Sequence, residues 1–90
     1  MTSTKPLAMS QPKVAQFVRE LRLLTSLTQE QFAVCLGVTY PTISRWENGR
    51  TTPSPLAMEK LQALLQQMHD APQEPLRKRA KNLSAKYLFN

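Results

Sequence analysis

Reaction chemistry needs groups that this 90-residue chain holds in single copies, one histidine, His69, and one cysteine, Cys35. A nucleophile beside a general base, or a set of metal ligands, asks for several such groups within reach of one another. Two glycines, Gly37 and Gly49, do not make a phosphate-cradling loop. The residues therefore speak against an enzyme, and no cofactor or metal is expected. What the chain does concentrate is hydrogen-bonding capacity, in Thr39, Tyr40, Thr42, Ser44, Arg45, Asn48 and Arg50, with the apolar ring of Pro41 among them. An arginine presents two parallel donors, and a threonine methyl or proline ring presents a small apolar surface. Such a row recognises an acceptor-rich partner without making or breaking a bond. Twelve Lys and Arg against six Asp and Glu give a net charge of +6, which suits a polyanion, nucleic acid first.

Those side chains need a rigid support, and the flanking residues specify one. Thr28 and Gln31 form a Thr-x-x-Gln capping box at a helix start. Phe32, Ala33 and Leu36 then share one face, and Gly37 follows where a helix end needs positive φ. This predicts a helix over about Gln29 to Leu36. Thr39 is an N-cap candidate and Pro41 belongs in a first turn, so a second helix is expected over Tyr40 to Asn48. Ile43, Trp46 and Glu47 lie on one side of it, with Trp46 expected in the core. Pro41, Arg45 and Asn48 lie opposite, flanked by Thr42 and Ser44. Gly49 supplies the stop. Two short helices joined by a turn of about four residues containing glycine make a helix-turn-helix.

At these residues the chain resembles the Xre family, the helix-turn-helix domains of phage repressor and Cro proteins. Leu27-Thr28-Gln29-Glu30-Gln31-Phe32-Ala33, Gly37-Val38-Thr39 and Ile43-Ser44-Arg45-Trp46-Glu47-Asn48-Gly49 carry the likeness, which extends over roughly residues 12 to 70. It implies a compact all-α bundle of four to five helices that reads the major groove of double-stranded DNA. It places Tyr40, Pro41, Thr42 and Arg45 nearest base edges, and Gln29, Thr39, Ser44, Asn48 and Arg50 on the phosphate backbone. It further implies that Arg22 pairs with Glu47 and, with Trp46, supports the reading helix. Arg45 has the fork for guanine O6 and N7, and Thr42 or Pro41 fits a thymine methyl. Many relatives begin this helix with Gln or Ser. Tyr40-Pro41 departs from that, so no relative's base preference transfers.

The rest of the chain divides by pattern. Residues 1 to 9 read as a flexible arm, residues 10 to 70 as the helix-turn-helix domain, and residues 71 to 90 as a basic amphipathic helix or tail. The first helix is expected to start with Ser10 as cap and Pro12 in its first turn. It carries an inward stripe of Val14, Phe17, Val18, Leu21 and Leu24. Arg19 lies off that stripe and reads as solvated. Ser54 and Pro55 open a fourth helix, with Leu56, Leu61, Leu64, Leu65 and Met68 expected inward. Cys35, between Val34 and Leu36, is expected to be a buried small apolar residue. After a break at residues 71 to 75, Leu76, Ala80, Leu83 and Tyr87 recur at helical spacing opposite Arg77, Lys78, Arg79, Lys81 and Lys86. This segment could pack on its own bundle, exchange with a second subunit or lie loose along phosphates. Association through its apolar side, leaving the basic side for DNA, is the expectation.

No stretch of eighteen apolar residues occurs and the first residues lack a secretory core. A cytoplasmic, nucleoid-associated location is expected, with no membrane partner. The leading functional reading is a transcriptional regulator, a repressor, binding a palindromic site as a homodimer. The competing one is an antitoxin-type interaction module that also binds promoter DNA and holds a protein partner through residues 71 to 90. Single-stranded RNA is disfavoured because the chain lacks aromatic stacking platforms.

Overall fold

A computed structural model describes residues 11–88, and their fold is all-α. The expected arm and the Ser10 cap lie outside the described residues. Five helices follow in order, α1 (Gln11–Thr25), α2 (Gln29–Leu36), α3 (Tyr40–Glu47), α4 (Pro55–His69) and α5 (Glu74–Tyr87). α1 is the shared wall, touching α3, α4 and α5, while α2 leans on α3 and α4. The whole inward stripe of α1 is buried, together with Phe32, Leu36, Ile43, Trp46, Leu61 and Leu65.

The joints are built from local hydrogen bonds. Thr28 Oγ1 accepts from the Gln31 amide at 3.1 Å, and Gln31 Oε1 accepts from the Thr28 amide at 3.0 Å. Gly37 adopts φ 73°, and the Val38 amide donates to the Ala33 carbonyl at 3.0 Å, so the end of α2 is closed by a left-handed residue. α3 ends the same way. Gly49 has φ 73°, and the Arg50 amide donates to the Arg45 carbonyl at 2.9 Å. The α1 to α2 turn uses a non-glycine, Ser26, at φ 63°. Its cost is offset by neighbouring Thr25, whose hydroxyl donates to the Arg22 carbonyl and accepts from the Leu27 amide.

Several sequence expectations are corrected. Cys35 is exposed. Phe32, Ala33 and Leu36 are the buried residues of α2, and Cys35 lies about 100° round the helix from the middle of that row. Leu56 is 64% exposed, because five residues of α-helix turn it about 140° away from Leu61. Met58 takes the inward place instead. The break before α5 is shorter than read, since Pro75 sits inside the first turn and the helix begins at Glu74.

α5 buries its apolar side within its own chain. Ala80, Leu83 and Tyr87 join the core against α1 and α4, so that side is not left for a partner. Tyr87 tilts against Phe17 with ring centroids 5.5 Å apart, and its hydroxyl donates to Glu20 Oε2 at 2.6 Å. Lys86 reaches the same oxygen at 3.0 Å. On the α4 side, His69 Nε2 and Ser84 Oγ lie 2.8 Å apart, and Ser84 is buried. Arg77 donates to the carbonyls of Ala71 and Pro72 and so fixes the connecting loop.

Candidate nucleic-acid interface

α3 is an eight-residue helix with a divided surface. Ile43, Trp46 and Glu47 are buried, with Trp46 at 4% exposure in the core. Tyr40, Pro41, Arg45 and Asn48 are exposed, and Thr42 and Ser44 are half-buried between the two sides. Tyr40 presents 48% of its surface at the N-terminal end.

Short side chains along the outer side are linked in pairs. The hydroxyls of Thr39 and Thr42 lie 2.9 Å apart, and Asn48 Nδ2 donates to Ser44 Oγ at 3.3 Å. Thr39 occupies the N-cap position with extended backbone, yet its side chain does not cap; its oxygen is turned to Thr42. Pro41 has no N–H and the Thr42 amide donates to the Thr39 carbonyl at 3.1 Å, so the Tyr40 amide is the first-turn donor left for an external acceptor.

The inner side is organised around Glu47, which is only 3% exposed. A buried carboxylate is costly unless every lone pair is engaged. Arg22 Nε donates to Oε2 at 2.6 Å and Arg22 Nη2 to Oε1 at 3.1 Å, a bidentate pair. Gln29 Nε2 adds a third bond to Oε1 at 3.0 Å. Arg22 Nη1 also donates to the Leu27 carbonyl at 3.1 Å. The hydrogen bonds to Glu47 hold the Arg22 guanidinium above its ordinary pKa, against the opposing effect of burial. One residue thus joins α1, the start of α2 and the end of α3.

Tyr40, Pro41, Thr42, Ser44, Arg45 and Asn48 all come together along the outer side of α3. Arg50 follows in the next turn and is exposed, with its amide bonded to the Arg45 carbonyl. Gln29 stands apart from that row. It is half-buried, and one of its two side-chain N–H donors is committed to Glu47, so the other and the main-chain N–H at the start of α2 are the donors left for an anion. Sequence reading missed Arg19, whose Nη2 donates to the main-chain carbonyl of Glu47 at 2.6 Å. Its position three residues before Arg22 is the available signal, since that spacing puts both guanidinium groups on one side of α1.

Residues 18–67, more than half of the chain, match a family model described as helix-turn-helix. A Bacillus subtilis (strain 168) protein, the uncharacterized HTH-type transcriptional regulator RghRB, is 49% identical over 51 residues. The match takes in 56% of this chain and 37% of that relative, so the chain spans little over a third of the relative's length. No solved structure matches the chain. Among the described residues no helix is long and apolar enough to cross a membrane.

Proposed function

We propose that this chain, which belongs to the Xre-type helix-turn-helix family, is a sequence-specific reader of double-stranded DNA that regulates transcription. The observation that carries the proposal is an exposed row from Tyr40 to Asn48 with Arg45 at its middle, on a helix whose opposite side is anchored through buried Glu47. α3 enters the major groove. Arg45 then reads guanine O6 and N7, while Tyr40, Pro41 and Thr42 sort neighbouring bases by shape and methyl contact. Thr39, Ser44, Asn48, Arg50 and the start of α2 at Gln29 take phosphates and fix register.

One eight-residue helix covers few base pairs, so useful specificity calls for two copies about one helical turn apart on a two-fold symmetric site. Repression follows by occlusion of that site, wherever the chromosome is. Selection of bound duplexes from a random pool tests the proposal. The expected result is one enriched motif, repeated in inverted orientation. Recovery of unenriched sequence, bound equally well, would remove it.

A second reading, an antitoxin-type module, is favoured by the outer side of α5. An open cleft of about 360 Å³ between α1 and α5 is lined by Glu20, Leu23, Arg79, Asn82 and Lys86. Leu23 is 54% exposed. Arg79 and Lys81 are exposed as well, which suits an acidic protein partner. Stoichiometric co-purification of such a partner, abolished by Arg79→Glu, supports this reading. A homodimer that forms no complex with any co-expressed neighbour rejects it.

A further inference from the structure

We infer that Arg19 is a positioning residue for the reading helix: its guanidinium, bonded to the last carbonyl of α3, sets the angle at which Arg45 is presented. This rests on the DNA-reading role proposed above. Glu47 offers acceptors at two levels. Its carboxylate is filled by Arg22 and Gln29, and its main-chain carbonyl accepts from Arg19 Nη2 at 2.6 Å.

That carbonyl belongs to the set at a helix C-terminus that finds no partner inside the helix, and it lies at the negative end of the helix dipole. A cation there is favoured twice over. The two clamps also restrain different motions. Between the carboxylate and the backbone of Glu47 lie three side-chain torsions, so a grip on the carboxylate alone leaves the backbone of α3 free to swing about them. A second grip on the carbonyl removes that freedom. α3 is too short to be a stable helix by itself, so its orientation has to come from such ties and from the packing of Ile43 and Trp46. Arg19 and Arg22, three residues apart on α1, supply both ties from one rigid rod.

Full-length Arg19→Gln and Arg19→Lys test this. Each is titrated over a range of salt with a duplex recovered by selection and with a scrambled duplex of equal composition. Amide hydrogen exchange is followed in the free proteins. Arg19→Gln is expected to lose about tenfold in affinity for the selected duplex, in line with a charge-assisted hydrogen bond. Binding to the scrambled duplex changes little, and the salt slope stays as in the wild type. The amides of Gly49 and Arg50, bonded to Trp46 and Arg45, exchange faster while those of α5 do not. Arg19→Lys keeps a charged donor but not the guanidinium fork, so it recovers most but not all of the loss. If the glutamine variant does not fold, the remaining loss on the selected duplex with faster exchange at Gly49 and Arg50 is the expected result, and wild-type exchange there overturns the role. Equal loss on both duplexes with a salt slope lowered by about one makes Arg19 a phosphate contact and overturns the positioning role. Unchanged exchange at Gly49 and Arg50 overturns it as well. A wild type that does not distinguish the duplexes rejects the DNA-reading proposal, and the exchange data then decide Arg19 by themselves.

Discussion

At Glu47 a charge is taken almost entirely out of water, and the side chains around it determine whether that stabilises the fold. Arg22 and Gln29 meet the carboxylate with three hydrogen bonds. Glu47→Gln leaves Arg22 facing a neutral amide. Breaking a buried pair costs about 3–5 kcal/mol when the orphaned charge stays buried. The Arg22 side chain keeps 16% of its surface in solvent, so a loss of about 2–3 kcal/mol is expected on that scale. Urea denaturation measures it, and an unchanged midpoint contradicts the pairing's role. On DNA, Arg50→Ala weakens all sequences alike and lowers the salt slope, whereas Arg45→Ala costs about 1–3 kcal/mol at a selected site and relaxes one base position. Titrations at several salt concentrations separate the two. The outward row of α3 was legible in the sequence because side-chain types at helical spacing announce it. Arg19 was not, because its acceptor is a main-chain carbonyl and no residue type marks that. Cys35 misled because apolar neighbours in sequence do not fix a face: Leu36 is buried, whereas Val34 is exposed like Cys35 itself.

Glycine corners make the paired helices possible at the element scale. Gly37 sits at φ 73°, and a Cβ added there meets only the Lys60 ammonium at 3.6 Å. The penalty for Gly37→Ala is therefore backbone strain rather than collision, about 1 kcal/mol. Gly37→Asn, tolerant of left-handed backbone, should cost less, and thermal melting distinguishes them. Equal stability of all three proteins would show that this corner is not strained. The capping box and both glycine stops were readable because each is a local bargain between neighbouring residues. Ser26 was not, since a left-handed serine depends on the Thr25 hydroxyl bonds that compensate it. The inward role given to Leu56 failed on phase, five residues from Leu61 being the wrong angle.

For the whole molecule, the largest question the sequence left open was where α5 goes. Its periodicity identified an apolar side, but periodicity does not name the surface that receives it. The answer lies in contacts far apart in sequence, Tyr87 on Phe17 and on Glu20. Burial raises the Glu20 carboxyl, but hydrogen bonds from Tyr87 and Lys86 and the nearby ammonium outweigh it, and its pKa falls below the ordinary value. A depressed carboxylate stabilises the fold fully above its unfolded pKa, about 4.3, and that contribution is lost as pH falls through the folded value. Wild type should therefore lose stability more steeply than Glu20→Gln on acidification from about pH 5 to pH 3, by a small margin because solvent screens so exposed a pair. Parallel acid melts of the two proteins contradict the tie.

The decisive measurement for α3 as a major-groove reader is methylation interference on a selected duplex. Methylation at guanine N7 should block the wild type at one position in each half-site, and Arg45→Ala should bind the methylated and unmodified duplexes equally there. Interference confined to adenine N3 in the minor groove, or a pattern unchanged by Arg45→Ala, would contradict that assignment of α3.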